Sequence, residues 1–204
     1  MQIKLNKKQN ILTLAEKVDR KEYVINILLD GADISNPKKS LETLAKLKGQ
    51  AIVIPGQTVL ENDASVPEYM YLVGKLLKEF DKVLIVNGGT YGIDDVQIQA
   101  FGRGVRFLKV NFGNIVVALI LDQDLTQELK TSDIPEDLLD ADIMMASVTR
   151  APALVSMEYP VFVFWGDKET FVQSTGIEQV QQKESISIRN IDRVNTGRTI
   201  YILQ

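Results

Sequence analysis

The chain has 204 residues, 45% apolar and 25% charged, a balance that is typical of a folded globular protein and excludes a disordered or fibrous chain. Its formal net charge of −4, without a dense cluster of Lys and Arg, argues against nucleic acid as a partner. The first ten residues contain no apolar targeting segment, and the longest aliphatic run, 115–121, is too short to cross a bilayer. We therefore expect a soluble, cytoplasmic protein with no membrane partner.

The sequence contains neither cysteine nor histidine. These absences exclude disulfides, thiolate nucleophiles, Ser–His–Asp triads and the usual His- or Cys-ligated zinc sites. An enzyme built from this chain has to use Asp, Glu, Lys or Tyr side chains, or a hard cation such as Mg²⁺ bound through oxygen. Together the two absences favour a protein that is not an enzyme.

Five continuous apolar runs recur along the chain, the first four about 30 residues apart, which is the length of a strand and a crossover helix. Runs of this kind are typical of strands buried on both faces, and they predict strands at 23–29, 51–55, 83–86, 115–121 and 160–165. Between the first three runs, an early proline followed by a stripe of apolar residues predicts helices at 35–49 and 65–80.

The segment 93–101 fits two structures. As a helix it places Ile93, Val96 and Ala100 on one face, and as a strand its apolar residues alternate with glutamines. We favour the helix, because a break with glycines then leads into a further strand at 105–110. A turn at 111–114 predicts that this strand runs antiparallel to 115–121.

The last third of the chain has a different sequence pattern. Residues 122–148 are mostly helical by pattern, with a second helical piece that begins at Pro135. Short strands and hairpin turns are predicted after it, at 161–173, 185–192 and 198–203. The predicted fold is therefore of the α/β class, a mostly parallel but mixed central sheet flanked by helices. Residues 1–158 form this domain, and 159–204 form a β-rich extension that packs on it or on a neighbouring chain.

The glycine-rich stretch NGGTYG follows the predicted strand at 83–86. It matches two of the three glycines of the dinucleotide fingerprint, but the next strand ends at Asn111 without the acid that would hold a ribose. Backbone N–H groups at a helix start can still bind a small anion. That candidate ligand site consists of Asn87, Gly88, Gly89 and Thr90. The other interpretation is a tight turn that needs small residues.

Acidic residues follow two of the predicted strands, and carboxylates at strand ends are natural Mg²⁺ ligands. They are Asp30, Asp33, Asp122 and Asp124. The pattern LLDGAD, an early strand ending in an acid and a glycine, resembles metal-dependent nuclease-like folds of the NYN/PIN and Toprim classes. This chain departs from them because its third strand ends in Asn-Gly-Gly instead of an acid. Helix capping, for example by Asp124, is the other interpretation.

A helix at 67–80 followed by three antiparallel strands within 96–124 resembles the roadblock modules, small dimeric partners of Ras-like GTPases. The resemblance implies an interaction module without an active site, in which the glycines of NGGTYG form a strand-to-strand turn. It rests on periodicity over less than half of the chain.

These observations favour a non-catalytic binding or assembly protein, a homo-oligomer or the partner of another protein, that holds a small anionic ligand and no cofactor. The alternative is a Mg²⁺-dependent enzyme that acts on a phosphorylated or nucleotide substrate through the four aspartates, with Asp30 and Asp122 as metal ligands.

Overall fold

The computed structural model describes residues 1–29, 46–55, 81–102, 104–121, 128–188 and 198–204. These residues form two β-sheets. The strands of the chain's first half are β1 (Gln2–Asn6), β2 (Ile11–Val18), β3 (Lys21–Leu28), β4 (Ala51–Val53), β5 (Val83–Ile85), β6 (Gly89–Ile93) and β7 (Val96–Phe101). Those of the second half are β8 (Phe107–Asn111), β9 (Val116–Ile120), β10 (Ile143–Ser147), β11 (Val161–Trp165), β12 (Gln181–Lys183), β13 (Ser185–Ser187) and β14 (Thr199–Leu203).

The first sheet has the strand order β13-β1-β2-β3-β4-β5, and the second has the order β12-β14-β11-β10-β9-β8-β7-β6. In the first sheet β1, β2 and β3 form an antiparallel meander, and β4 and β5 continue it in parallel. In the second sheet β6 to β9 are antiparallel, whereas β10, β11, β14 and β12 continue β9 in parallel. The chain is thus a mixed α/β protein, but the predicted single, mostly parallel central sheet is wrong.

Helices are few in the described part of the chain: α1 (Ala151–Leu154), α2 (Lys168–Thr175) and three 3₁₀ turns at 131–133, 136–138 and 148–150. Asp167 caps α2 by accepting a hydrogen bond from the Thr170 N–H at 2.8 Å, and Gly176 ends it in the left-handed conformation. None of the described helices is long and apolar enough to cross a membrane. The predicted helices at 35–49 and 65–80 lie wholly or mostly outside the described residues.

All five strands predicted from apolar runs are confirmed, and so is the turn that joins β8 to β9. The helix favoured at 93–101 is wrong. That segment is the β6–β7 hairpin, in which Val96, Ile98 and Ala100 are buried and Gln97 faces solvent. The alternation of period two was the better guide, because each second residue of β7 faces the core.

Three further predictions about the second half of the chain are wrong. The helical pattern within 122–148 contains the strand β10, whose apolar residues are buried on both faces. The predicted strand at 161–173 ends at Trp165, and α2 follows it. In addition β13 and β14 belong to different sheets, so 185–203 is not a hairpin. The division into residues 1–158 and 159–204 stays a prediction; β10 and β11, which lie on either side of that boundary, pair in one sheet.

A buried apolar layer separates the two sheets. It includes Ile25 and Ile27 from β3, Leu119 from β9, Met145 from β10 and Val163 from β11, all at most 1% exposed. A second cluster covers the opposite face of the larger sheet, where α1 and α2 pack; its aromatic centre contains Phe162 stacked on Phe164 with ring centroids 5.7 Å apart.

The parallel strands of both sheets end at the same edge of the sandwich. Near the start of β3, the Tyr23 hydroxyl donates to Asp95 at 3.2 Å, and Lys21 forms an ion pair with Asp94; both aspartates form the turn before β7. These contacts place the start of β3 beside the start of β7, so the two strands run in the same direction. Since β7 and β9 are both antiparallel to β8, β9 also runs in that direction. We name the edge where these strands end the carboxyl edge.

Tyr159 makes the stability of the fold sensitive to alkaline pH. Burial, assisted by the negative charge of Asp140, raises the pKa of Tyr159 to about 12, and its hydroxyl donates to the Leu138 carbonyl at 3.2 Å. The unfolded chain loses this proton near its ordinary pKa of about 10, so the stabilisation is complete below that pH and is lost as pH rises to about 12. Tyr159→Phe should therefore show a smaller loss of unfolding free energy over this interval in urea titrations. Equal pH slopes in the two proteins would contradict this.

Candidate functional site

The carboxyl edge is the place where this topology can assemble a site, because ligands in sheets with parallel strands bind beyond the carboxyl ends of those strands. In the first sheet it is reached by Leu29 after β3 and by Pro55 after β4. In the second sheet it is reached by Leu121 after β9, Ser147 in β10 and Trp165 in β11. The residues brought together here are distant in sequence.

The four aspartates predicted as metal ligands, Asp30, Asp33, Asp122 and Asp124, lie outside the described residues. The residues that directly precede the first and third of them are described. Leu29 is 9% exposed and Leu121 is 4% exposed, and both belong to the apolar layer between the sheets. The chain therefore leaves the facing sheets towards Asp30 and Asp122 at the same edge.

The predicted ligand site at Asn87, Gly88, Gly89 and Thr90 connects the two sheets. Its last two residues open the strand β6, so there is no helix start whose dipole could attract an anion. A Cβ on residue 88 would lie 3.3 Å from the Gly102 carbonyl oxygen, a tight contact that favours a small residue there. The Asn87 carbonyl accepts a hydrogen bond from the Tyr91 hydroxyl at 3.0 Å. Ligand binding at these residues stays a prediction, without the helix that motivated it.

At the end of β10, two hydroxyl groups lie in contact. The Ser147 Oγ accepts hydrogen bonds from the Thr149 hydroxyl at 3.0 Å and from the Thr149 N–H at 3.4 Å. This local bond turns the chain out of the strand into a 3₁₀ turn. Arg150, at the end of that turn, is only 5% exposed. Sequence reasoning missed Ser147 because its segment read as a helix.

At the end of β11, Gly166 allows the two strands to approach closely. Its φ of +132° is a conformation that residues with a side chain rarely adopt, and a Cβ there would lie 2.6 Å from Val148 Cγ2. Asp167 follows and caps α2. The hydrogen bond from the Thr170 N–H lowers the pKa of Asp167, so this carboxylate stays ionised in its structural role.

Comparison with known proteins finds no matching family profile and no similar curated sequence. Solved structures do match. A candidate Zn-dependent hydrolase of the metallo-β-lactamase superfamily from Thermotoga maritima has a TM-score of 0.55 at 9% identity, over 100% of this chain and 98% of that one. The metallo-β-lactamase fold protein YhfI from Bacillus subtilis has a TM-score of 0.47 at 10% identity, over 96% and 89%. Zn²⁺-bound PqqB from Methylobacterium extorquens has a TM-score of 0.34 at 12% identity, over 68% and 56%.

The likeness to the Thermotoga protein shows that this chain shares its fold, and it corrects the functional predictions. The expectations of a non-catalytic binding or assembly protein, of a roadblock-like module and of an anion-binding protein without a cofactor are wrong. They treated the absence of histidine and cysteine as an absence of catalysis, whereas the Thermotoga protein, whose fold this chain shares, is a candidate hydrolase. The same comparison contradicts the expectation of no cofactor and the alternative of Mg²⁺, because the Thermotoga protein is described as Zn-dependent.

The residues of this chain do not fit a zinc ion held in the usual way. Zinc sites in enzymes rely on imidazole or thiolate ligands, and the sequence has neither. Within the described ranges, no three Asp or Glu side chains come together in a metal-binding group. Any metal at the carboxyl edge has to be held through oxygen ligands.

The close approach of β10 and β11 predicts a coupled pair of substitutions. Gly166→Ala should destabilise the protein by about 1–3 kcal/mol, because the new methyl group overlaps Val148. In a Val148→Ala background the same change should cost less, since the overlapping methyl group is gone. Urea unfolding of the two single variants and the double variant measures this coupling. Strictly additive losses of unfolding free energy would show that overlap with Val148 is not what makes Gly166→Ala destabilising.

Proposed function

We propose that this protein is a hydrolase whose reaction centre lies at the carboxyl edge, where Asp30 and Asp122 supply the reactive carboxylates. They bind a divalent cation through oxygen ligands alone, with Asp33 and Asp124 as the neighbouring acids. The observation that carries the proposal is the arrangement of β3 and β9. These strands belong to facing sheets, end at one edge, and continue directly into Asp30 and Asp122.

The fold supports a hydrolytic reaction. The Thermotoga protein, which covers the whole of this chain at a TM-score of 0.55, is a candidate Zn-dependent hydrolase. A shared fold carries an activity only if the site supplies the chemistry, and this site cannot use imidazole or thiolate. Carboxylates are the chain's available replacement, because they can hold a cation and accept a proton from water.

The side chains present determine which group can perform each part of the reaction at such a site. A divalent cation held by Asp30 and Asp122 would supply Lewis-acid chemistry, lowering the pKa of water and polarising the scissile bond. One of the carboxylates would accept the proton of the attacking water, and the other would remain a ligand of the cation. The hydroxyl pair of Ser147 and Thr149 lies at the same edge and can orient an acceptor oxygen of the substrate.

Asp30→Asn and Asp122→Asn should each lower kcat/KM at least about 100-fold, the effect expected when a general base or metal ligand is lost. The assay follows hydrolysis of chromogenic carboxylic esters, phosphodiesters and β-lactams with Mn²⁺ or Zn²⁺ added. Thermal shift with the same ions measures binding separately, because an ion at 100 times its dissociation constant stabilises the fold by about 2.7 kcal/mol.

The matched control is Asp19→Asn. Asp19 is an exposed aspartate in the β2–β3 turn at the opposite edge, and Asn tolerates its φ of +46°. This variant should keep wild-type turnover and wild-type metal binding. A wild-type protein that hydrolyses none of the substrates and is stabilised by neither ion would overturn the proposal.

A further inference from the structure

We infer that Trp165 and Ser147 form the substrate-contacting wall of the carboxyl edge, and that the substrate pairs a flat apolar group with an adjacent hydrogen-bond acceptor. The inference rests on the hydrolase proposal for its reaction but not for its binding surface. It identifies the substrate class through the side chains that would contact it.

The exposure along β10 and β11 locates the opening of the sandwich. On the face towards the other sheet, Ile143 and Met145 of β10 are completely buried, as are Val161 and Val163 of β11. The next residues on that face are Ser147 and Trp165, and both are partly exposed. In the same row on the neighbouring strands, Leu121 and Leu203 remain buried. The apolar layer therefore opens to solvent at Ser147 and Trp165.

The register of the strands makes these two side chains neighbours. Ser147 and Trp165 are directly paired in the parallel β10–β11 ladder, so their Cα atoms are separated by about 5 Å. They point to the same face of the sheet, because each lies two residues beyond a side chain in the layer between the sheets. A single small ligand can contact both.

The hydroxyl groups of Ser147 and Thr149 can donate a hydrogen bond to a ligand. Their oxygens lie 3.0 Å apart and share one hydrogen bond, which uses one of the two hydroxyl protons whichever group donates it. The other proton can be donated to a carbonyl, carboxylate or phosphoryl oxygen of a ligand at this edge.

Trp165 supplies the apolar part of the wall. Its indole packs on the apolar layer on one side while part of it stays accessible. A flat aromatic or similarly apolar group in contact with this surface gains dispersion and removes apolar area from water. Gly166 follows Trp165 directly and lies close to Val148, which follows Ser147. The ends of β10 and β11 that carry Ser147 and Trp165 are therefore in close contact.

Trp165 is the single tryptophan of the chain, so tryptophan emission, excited at wavelengths that tyrosine does not absorb, reports on this edge alone. We would titrate it with phenylphosphonate and benzoate and with their methyl counterparts, methylphosphonate and acetate. The aryl compounds should change the emission saturably and bind on the order of ten-fold more tightly than the methyl compounds. The tighter of the two aryl compounds identifies the acceptor as phosphoryl or carboxyl.

Variants test the two contacts by calorimetry, which does not depend on the tryptophan. Ser147→Ala should weaken binding of the aryl compound about 3- to 10-fold, as expected for one lost hydrogen bond. Trp165→Leu should remove the preference for the aryl compound, whereas Trp165→Phe should retain part of it. The control Ser187→Ala changes an exposed serine on β13, an edge strand of the other sheet, and should bind as the wild type does.

Two results would overturn the inference: no saturable emission change with any of the four compounds, or unchanged aryl affinity in Ser147→Ala and Trp165→Leu. Saturable binding of phenylphosphonate or benzoate, together with no hydrolysis of any assayed ester, phosphodiester or β-lactam, would support this wall and reject the hydrolase proposal. Hydrolysis of phenyl acetate with an unchanged KM in both variants would reject the wall and leave the hydrolase proposal standing.

Discussion

The apolar layer between the two sheets is the interaction on which the rest of the structure depends. Buried side chains from both sheets, including those of β3, β9, β10 and β11, form it, and the hydrophobic effect holds the sheets face to face. At one edge, the Tyr23–Asp95 hydrogen bond and the Lys21–Asp94 ion pair join the start of β3 to the turn before β7. With the sheets aligned in this way, the parallel strands of both have to end together.

The two edges of the sandwich differ because their connections differ. At the edge where the parallel strands begin, β2–β3 and β6–β7 are joined by two-residue turns that contain Asp19, Arg20 and Asp94 at positive φ. At the carboxyl edge, β10 is followed by the 3₁₀ turn at 148–150 and by α1, and β11 is followed by α2. Connections beyond the strand ends of a rigid sandwich are where proteins commonly place binding and catalytic groups. The proposed centre and the Ser147–Trp165 wall both lie there.

The chemistry of this edge is constrained by composition as much as by geometry. A chain without histidine or cysteine has to hold a metal through oxygen ligands and to activate water through Asp, Glu, Lys or Tyr side chains. The absence of imidazole and thiolate does not by itself make a protein non-catalytic, and this chain shares its fold with a candidate Zn-dependent hydrolase. Composition limits which groups can react, but it does not decide whether a site exists.

By itself, the sequence determined the strands at the five apolar runs, the turn before β9 and the absence of imidazole and thiolate, because each depends on local composition or spacing. It could not identify β10 as a strand, since a short apolar run is equally compatible with a buried helix. Only the tertiary structure decided that β14 pairs with β11 and that Ser147 lies beside Trp165. Those contacts join residues far apart in the chain, and burial of a shared apolar layer selects them.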